Sequence, residues 1–242
     1  MLIYGLHPVE TALQQHPEQI QSLIMLDHTL NPRLQKIVSL AEKHHIKIQF
    51  FSKEKFFTLI KPTLTHQGVL AYLRQVKSQN EEDLMALLGN TTHPLFLILD
   101  GIQDPHNLGA CLRSANAAGV TAVIAPKDNA CGLTPTVSKV ACGAEQFTPF
   151  ITVTNLARTL RELKKQGVWL IGLEEKATQS LYEMALRASI GLIFGSEGSG
   201  MRRLTKELCD FLVNIPMQGE IESLNISNAC AISLFESVRQ RL

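Results

Sequence analysis

From Leu95 onward the chain repeats one pattern: a short apolar run without polar alternation, a glycine-bearing loop, then apolar residues at helical spacing. The runs are 95–99, 122–125, 169–173, 192–194 and 211–213, and helices are expected over 107–118, 136–142, 154–165 and 224–239. Strands apolar on both faces, each followed by a helix, indicate a parallel sheet covered on both sides. The first 75 residues read as a smaller α/β unit: a short strand, a helix with Pro8 in its first turn, and a strand over 22–26. A helix capped by Asn31, strands over 46–51 and 69–73, and a helix opened by Ser52 complete it. The polar run from Gln75 to Asp83 reads as a linker into a short helix. The expected organisation is therefore a small α/β domain over 1–75, a linker and short helix over 76–92, and a larger α/β domain over 93–242.

Composition narrows the class. Hydrophobic residues make up 45% of the 242, enough for two conventional cores, and 19% charge is too little for disorder. No apolar run reaches the roughly 18 residues of a membrane span. The segment Met1 to Pro8 lacks the charged and small-residue features of a secretory signal. Five cysteines without a C-x-x-C pair suit free thiols in a reducing compartment better than a disulfide or zinc framework, so a cytoplasmic protein without a metal is expected. Net charge is only +1, yet through Lys77 there are nine Lys/Arg against five Asp/Glu, and fourteen against seventeen thereafter. A first domain at +4 suits an anionic partner, although charge alone is equally an ordinary solvated surface.

Three stretches carry candidate chemistry. In the segment from Asp100 to Gly119, Asp104-Pro105 is turn chemistry, Asn107 is expected to cap the following helix, and Gly109 permits close backbone approach. Arg113 lies about 1.7 turns further on, so it projects from another face as a guanidinium free to meet a phosphate or hydroxyl. The second stretch, Gly195-Ser-Glu-Gly-Ser-Gly-Met201, has the spacing G-x-x-G-x-G, which fits neither a dinucleotide fingerprint nor a Walker loop. Glu197 within it would repel a pyrophosphate and favours a neutral or cationic ligand. In the third, Ile215-Pro-Met217 leads to Ser223-Leu-Asn-Ile-Ser227, where Ser223, Asn225 and Ser227 gather at a helix entrance and either Ser223 or Asn225 serves as its cap. Loops of this kind at the carboxyl ends of neighbouring strands would line one pocket, with the last helix sealing it.

Taken together, Asn107-x-Gly-x-x-x-Arg113, Gly195-x-Glu-Gly-x-Gly-Met201 and Ile215-Pro-Met…Ser223-Leu-Asn-Ile-Ser227 resemble, in order and spacing, the signature motifs of the SpoU (TrmH-like) branch of the SPOUT RNA methyltransferases. The opening Tyr4-Gly-Leu-His-Pro-Val-Glu10, Val140-Ala-Cys-Gly143, Thr154-Asn-Leu-Ala-Arg158 and Val238-Arg-Gln-Arg241 extend the likeness along the chain, towards members acting on 23S rRNA. The resemblance implies a trefoil-knotted α/β catalytic domain with a parallel sheet, preceded by an L30e-like domain that binds RNA. It implies S-adenosylmethionine as cofactor, 2′-O-methylation of a guanosine ribose in 23S rRNA or a ribosomal precursor, and a homodimer. By motif match, Gly195, Ile215, Met217 and Leu224 would contact the cofactor, while Asn107, Arg113, Glu197, Ser223 and Asn225 fall on catalytic or substrate-holding positions. Competing readings are a tRNA guanosine-2′-O-methyltransferase of the same family and a non-catalytic RNA-binding assembly factor. A nicotinamide oxidoreductase is disfavoured by the glycine spacing.

Overall fold

The computed structural model describes residues 2–27, 31–60, 66–73, 79–221 and 223–242, in two compact units, Met1–Lys77 and Ser78–Leu242. The first part of the expected linker, residues 75–78, lies outside the described residues. In the first unit the elements run β1 (Leu2–Tyr4), α1 (Leu6–Gln15), β2 (Ile20–Leu26), α2 (Pro32–Lys43), β3 (Lys47–Phe51), α3 (Lys53–Phe57) and β4 (Val69–Leu73). Its sheet has the order β1-β4-β2-β3, with β2 and β3 parallel and β4 antiparallel to both its neighbours. Asn31 accepts a hydrogen bond from the Leu34 amide and Ser52 one from the Lys55 amide, so both expected caps are present. Val9, Leu13, Leu23, Met25 and Ile37 pack one face of the sheet, and Ile24, Phe56 and Leu70 the other.

The second unit contains α4 (Glu81–Asn90), β5 (Leu95–Asp100), α5 (Pro105–Ala117), β6 (Ala122–Pro126), α6 (Pro135–Ala141), β7 (Phe150–Val153), α7 (Leu156–Lys165), β8 (Trp169–Leu173), β9 (Gln179–Ser180), β10 (Ile190–Gly195), α8 (Arg203–Leu208), β11 (Phe211–Asn214) and α9 (Ile226–Arg241). Its described strands form one sheet in the order β7-β6-β5-β10-β8-β11-β9, every pairing parallel, as the unalternating apolar runs imply. Leu97, Leu99, Leu108, Cys111, Cys230 and Leu234 pack on one face with α5 and α9. Phe96, Ile98, Leu160 and Leu84 of α4 pack on the other. Among the described residues no helix is long and apolar enough to cross a membrane.

Strand order decides where the loops meet. β10 inserts between β5 and β8, in register from Ile190↔Leu95 to Gly195↔Asp100, so the glycine loop after β10 emerges beside the end of β5. The next loop leaves β11, which β8 separates from β10; the two loops do not follow neighbouring strands, contrary to the expectation above. From β11 the chain must therefore cross back past β8 and β10 for α9 to pack on α5.

The last turn of α9 is fastened to the connection entering β10. Gln240 Nε2 donates to the Met184 carbonyl at 2.9 Å, and the Arg241 guanidinium donates to the carbonyls of Leu186, Ala188 and His93 at 2.6–2.9 Å. Glu236 organises this turn, accepting from Arg239 Nε and Nη2 at 2.8 Å and from Gln240 at 2.7 Å. The Arg239 hydrogen bonds, then that from Gln240, hold the Glu236 carboxyl down at about 2. A carboxyl depressed on folding contributes stability that is complete above the free value of about 4.3 and is lost as pH falls towards the folded value. Thermal melts should therefore show Glu236→Gln less stable than wild type above about pH 5, the gap closing near pH 2; a gap unchanged with pH would contradict the assignment.

Candidate active site

At the carboxyl ends of β5 and β10, three segments distant in sequence meet through side-chain amides. Asn107, only 7% exposed, donates from Nδ2 to Glu197 Oε2 at 3.1 Å. Its Oδ1 accepts from Asn225 Nδ2 at 3.0 Å. Asn225 Oδ1 in turn accepts from the Ser227 amide at 2.9 Å and the Ser227 hydroxyl at 2.7 Å. Every donor in this chain points the same way, from the start of α9 towards one carboxylate.

Local sequence explains each position. Asp104, not the expected Asn107, caps α5: its side chain accepts from the His106 amide, and Pro105 takes the first helical position, where an absent N–H costs nothing. Asn107 thus falls within the first turn of the helix, as its third residue, and its amide is released for the cluster. Asn225 does cap α9 and spends only its oxygen doing so, leaving its nitrogen for Asn107. Glu197 sits on a loop whose base is closed by paired Ser196–Gly200 backbone hydrogen bonds of 2.9 and 3.1 Å. Gly195 is required there by crowding: a Cβ on it would lie 2.0 Å from the Gly200 carbonyl carbon and 2.1 Å from the Met201 nitrogen.

A cavity of about 290 Å³ opens over this cluster, walled by residues 101–104 and Asn107 on one side, Ser196, Glu197 and Ser199 on the other, and Ile226. Burial and then Asp104 push the nearby Cys131 thiol up. Behind the cavity, the buried carboxylate of Asp100 accepts from the Arg202 backbone amide at 2.9 Å and side-chain Nε at 2.6 Å.

Of the expected site residues, Asn107, Glu197 and Asn225 come together, with Gly195 at the loop's root. Ile215 packs against the core of the α9 face, Leu224 is half-buried, and Met217 is 37% exposed. Ser223 is exposed and makes no hydrogen bond among the described residues. Arg113 is exposed on α5, outside the cavity wall and without an ion pair among the described residues. Ser196, Ser199 and Ile226 belong to the loops expected to line the pocket, whereas Gly101, Ile102, Gln103 and Asp104 were given no site role, Asp104-Pro105 being read as turn chemistry alone.

The parallel α/β sheet is the architecture the methyltransferase resemblance implies, and three of the motif-matched residues, Asn107, Glu197 and Asn225, meet at its strand ends. The chain belongs to the SpoU rRNA Methylase family, whose sequence profile matches residues 94–235; a second profile, RNA 2′-O ribose methyltransferase substrate binding, matches residues 2–79. A curated relative from Coxiella burnetii, the 23S rRNA (guanosine-2′-O-)-methyltransferase RlmB, is 50% identical over 240 residues, 99% of this chain and 95% of its own. The Pasteurella multocida protein of the same name is 49% identical, with 99% of this chain and 98% of its own covered. In fold, the chain matches the SpoU methyltransferase AviRb from Streptomyces viridochromogenes, solved with AdoMet, at a TM-score of 0.77 and 21% identity, covering 100% of this chain and 90% of that one.

Gly195→Ala should force the loop open and cost about 1–3 kcal/mol in urea unfolding, as overpacking does; a wild-type midpoint would show that the crossing relaxes freely.

Proposed function

We propose that this protein transfers the methyl group of S-adenosylmethionine to the 2′-oxygen of a guanosine ribose in 23S rRNA. Identity near 50% along the full length to relatives bearing that name carries the reading. The assembly of Asn107, Glu197 and Asn225 in one hydrogen-bonded cluster gives it chemistry.

The residues present fit the cofactor. Gly195 lets the loop close onto its own root and so sets the position of Glu197, half-buried Ile215 and Leu224 with Met217 supply apolar surface for a purine, and Glu197 supplies negative charge for a cationic sulfonium. Bound there, S-adenosylmethionine supplies an electrophilic methyl group on a cationic sulfur. Asn107 and Asn225 hold the Glu197 carboxylate in one orientation, and its outward lone pairs are placed to accept a hydrogen bond from a ribose hydroxyl. Arg113 binds the substrate's phosphate and ribose oxygens by the planar fork of its guanidinium. Ser223 hydrogen-bonds the substrate from the entrance of α9.

The first unit, with its excess of positive charge, holds the surrounding RNA, in keeping with the substrate-binding profile over residues 2–79. The active form is a two-fold dimer in the cytoplasm; Phe235, 49% exposed on α9, supports an apolar contact on that helix.

Mapping 2′-O-methyl groups on 23S rRNA from strains with and without the protein should reveal one guanosine that loses its mark. Unchanged rRNA with a tRNA guanosine losing its methyl instead would overturn the substrate. Arg113→Lys should lower kcat/KM at least about tenfold, the equivalent of about 1.4 kcal/mol, and near-normal turnover would remove the fork from the mechanism.

A further inference from the structure

We propose that Asp100 is a positioning residue for methyl transfer: by clamping Arg202 it fixes the exit of the glycine loop and so holds Glu197 against Asn107. The inference rests on the function proposed above and adds a residue pair outside the cavity wall.

Asp100 ends a strand whose five preceding residues, Leu95 to Leu99, are all apolar and buried, and its own side chain is 0% exposed. A carboxylate in such a place is costly unless fully paired. All the hydrogen bonds its carboxylate makes among the described residues come from Arg202: the backbone amide at 2.9 Å, Nε at 2.6 Å, and an ion pair with Nη2 at 2.5 Å. Arg202 is the residue on which the loop leaves for α8. The loop's entry is fixed by Gly195 standing in register with Asp100, and its base by the Ser196–Gly200 pair. Between those anchors, the Asn107 amide at 3.1 Å is the hydrogen-bond partner of Glu197 among the described residues. Freeing the exit therefore lets Glu197 withdraw from Asn107. An ion pair that buries its carboxylate contributes little net stability compared with packed apolar residues, so holding geometry is the better account of it.

The two halves of the clamp differ in how they can be tested. Removing Arg202 strands a buried charge, whereas Asp100→Asn leaves a half-exposed guanidinium that water can solvate. Methyl transfer to 23S rRNA is to be measured with the full chain carrying Asp100→Asn, Glu197→Gln, or both. Expected is a fall in kcat of about ten- to a hundredfold for Asp100→Asn alone, the scale of a small misplacement. In the Glu197→Gln background the same change should cost no more than about twofold, because coupled groups are not additive. A wild-type kcat for Asp100→Asn, or an equal loss in both backgrounds, overturns the proposal. Should Asp100→Asn lose its cooperative melt, Arg202→Lys, which keeps the backbone bond and the charge but not the fork, enters the same cycle with the same expectations. Wild-type chain inactive on rRNA would remove the proposed function alone. The clamp is then read from a crystal structure of Asp100→Asn: a broken Glu197–Asn107 hydrogen bond supports it, and an unmoved loop overturns it.

Discussion

A carboxamide carries a donor and an acceptor on one rigid plane, and Asn107 uses both, one towards Glu197 ninety residues ahead and one towards Asn225 a further twenty-eight on. That double use defines which way each amide faces, because a flipped Asn107 would set nitrogen against nitrogen and oxygen against oxygen. It also gives the cluster a direction. Hydrogen bonds run from Ser227 through both asparagines and end on a carboxylate that has capacity left to accept. A cluster built this way presents Glu197 to the cavity already oriented.

Everything beneath the cluster serves to bring those three segments together and keep them there. A parallel sheet buried on both faces is the stiffest platform the chain offers, and placing β10 against β5 sets the glycine loop beside the first turn of α5. The return from β11 then delivers Asn225 from the far side of β8. Glycine at 195 is what lets the loop fold back onto its own root. At the opposite end of α9, the Glu236, Gln240 and Arg241 hydrogen bonds keep that helix, and with it Asn225, from sliding along α5.

Much of this was legible in the residues. Apolar runs without alternation gave the parallel sheet, and Asn31 and Ser52 announced their helices, because those signals act over a few residues. The failures have a common physical cause. Asn107 reads as a cap because asparagine caps helices well, but Asp104 followed by Pro105 caps this one better and frees the amide for a partner ninety residues away. The loops after β10 and β11 looked adjacent because strand order is a property of the whole sheet and leaves no trace in either loop. Asp100 and Arg202 stand 102 residues apart with no shared motif; a lone carboxylate closing an apolar strand was the only hint. Arg113 and Ser223 were matched by motif, yet among the described residues neither joins the cluster: motif order records family likeness and does not report which side chains meet within one chain.

The most direct measurement is a crystal structure of the protein with S-adenosylmethionine and a guanosine-containing fragment of 23S rRNA. The account predicts the cofactor against Gly195, Ile215 and Leu224, the ribose 2′-oxygen within hydrogen-bond distance of Glu197, and the Asn225–Asn107–Glu197 bonds intact. A cofactor seated away from the glycine loop, or a ribose that leaves Glu197 untouched while those bonds persist, would contradict it.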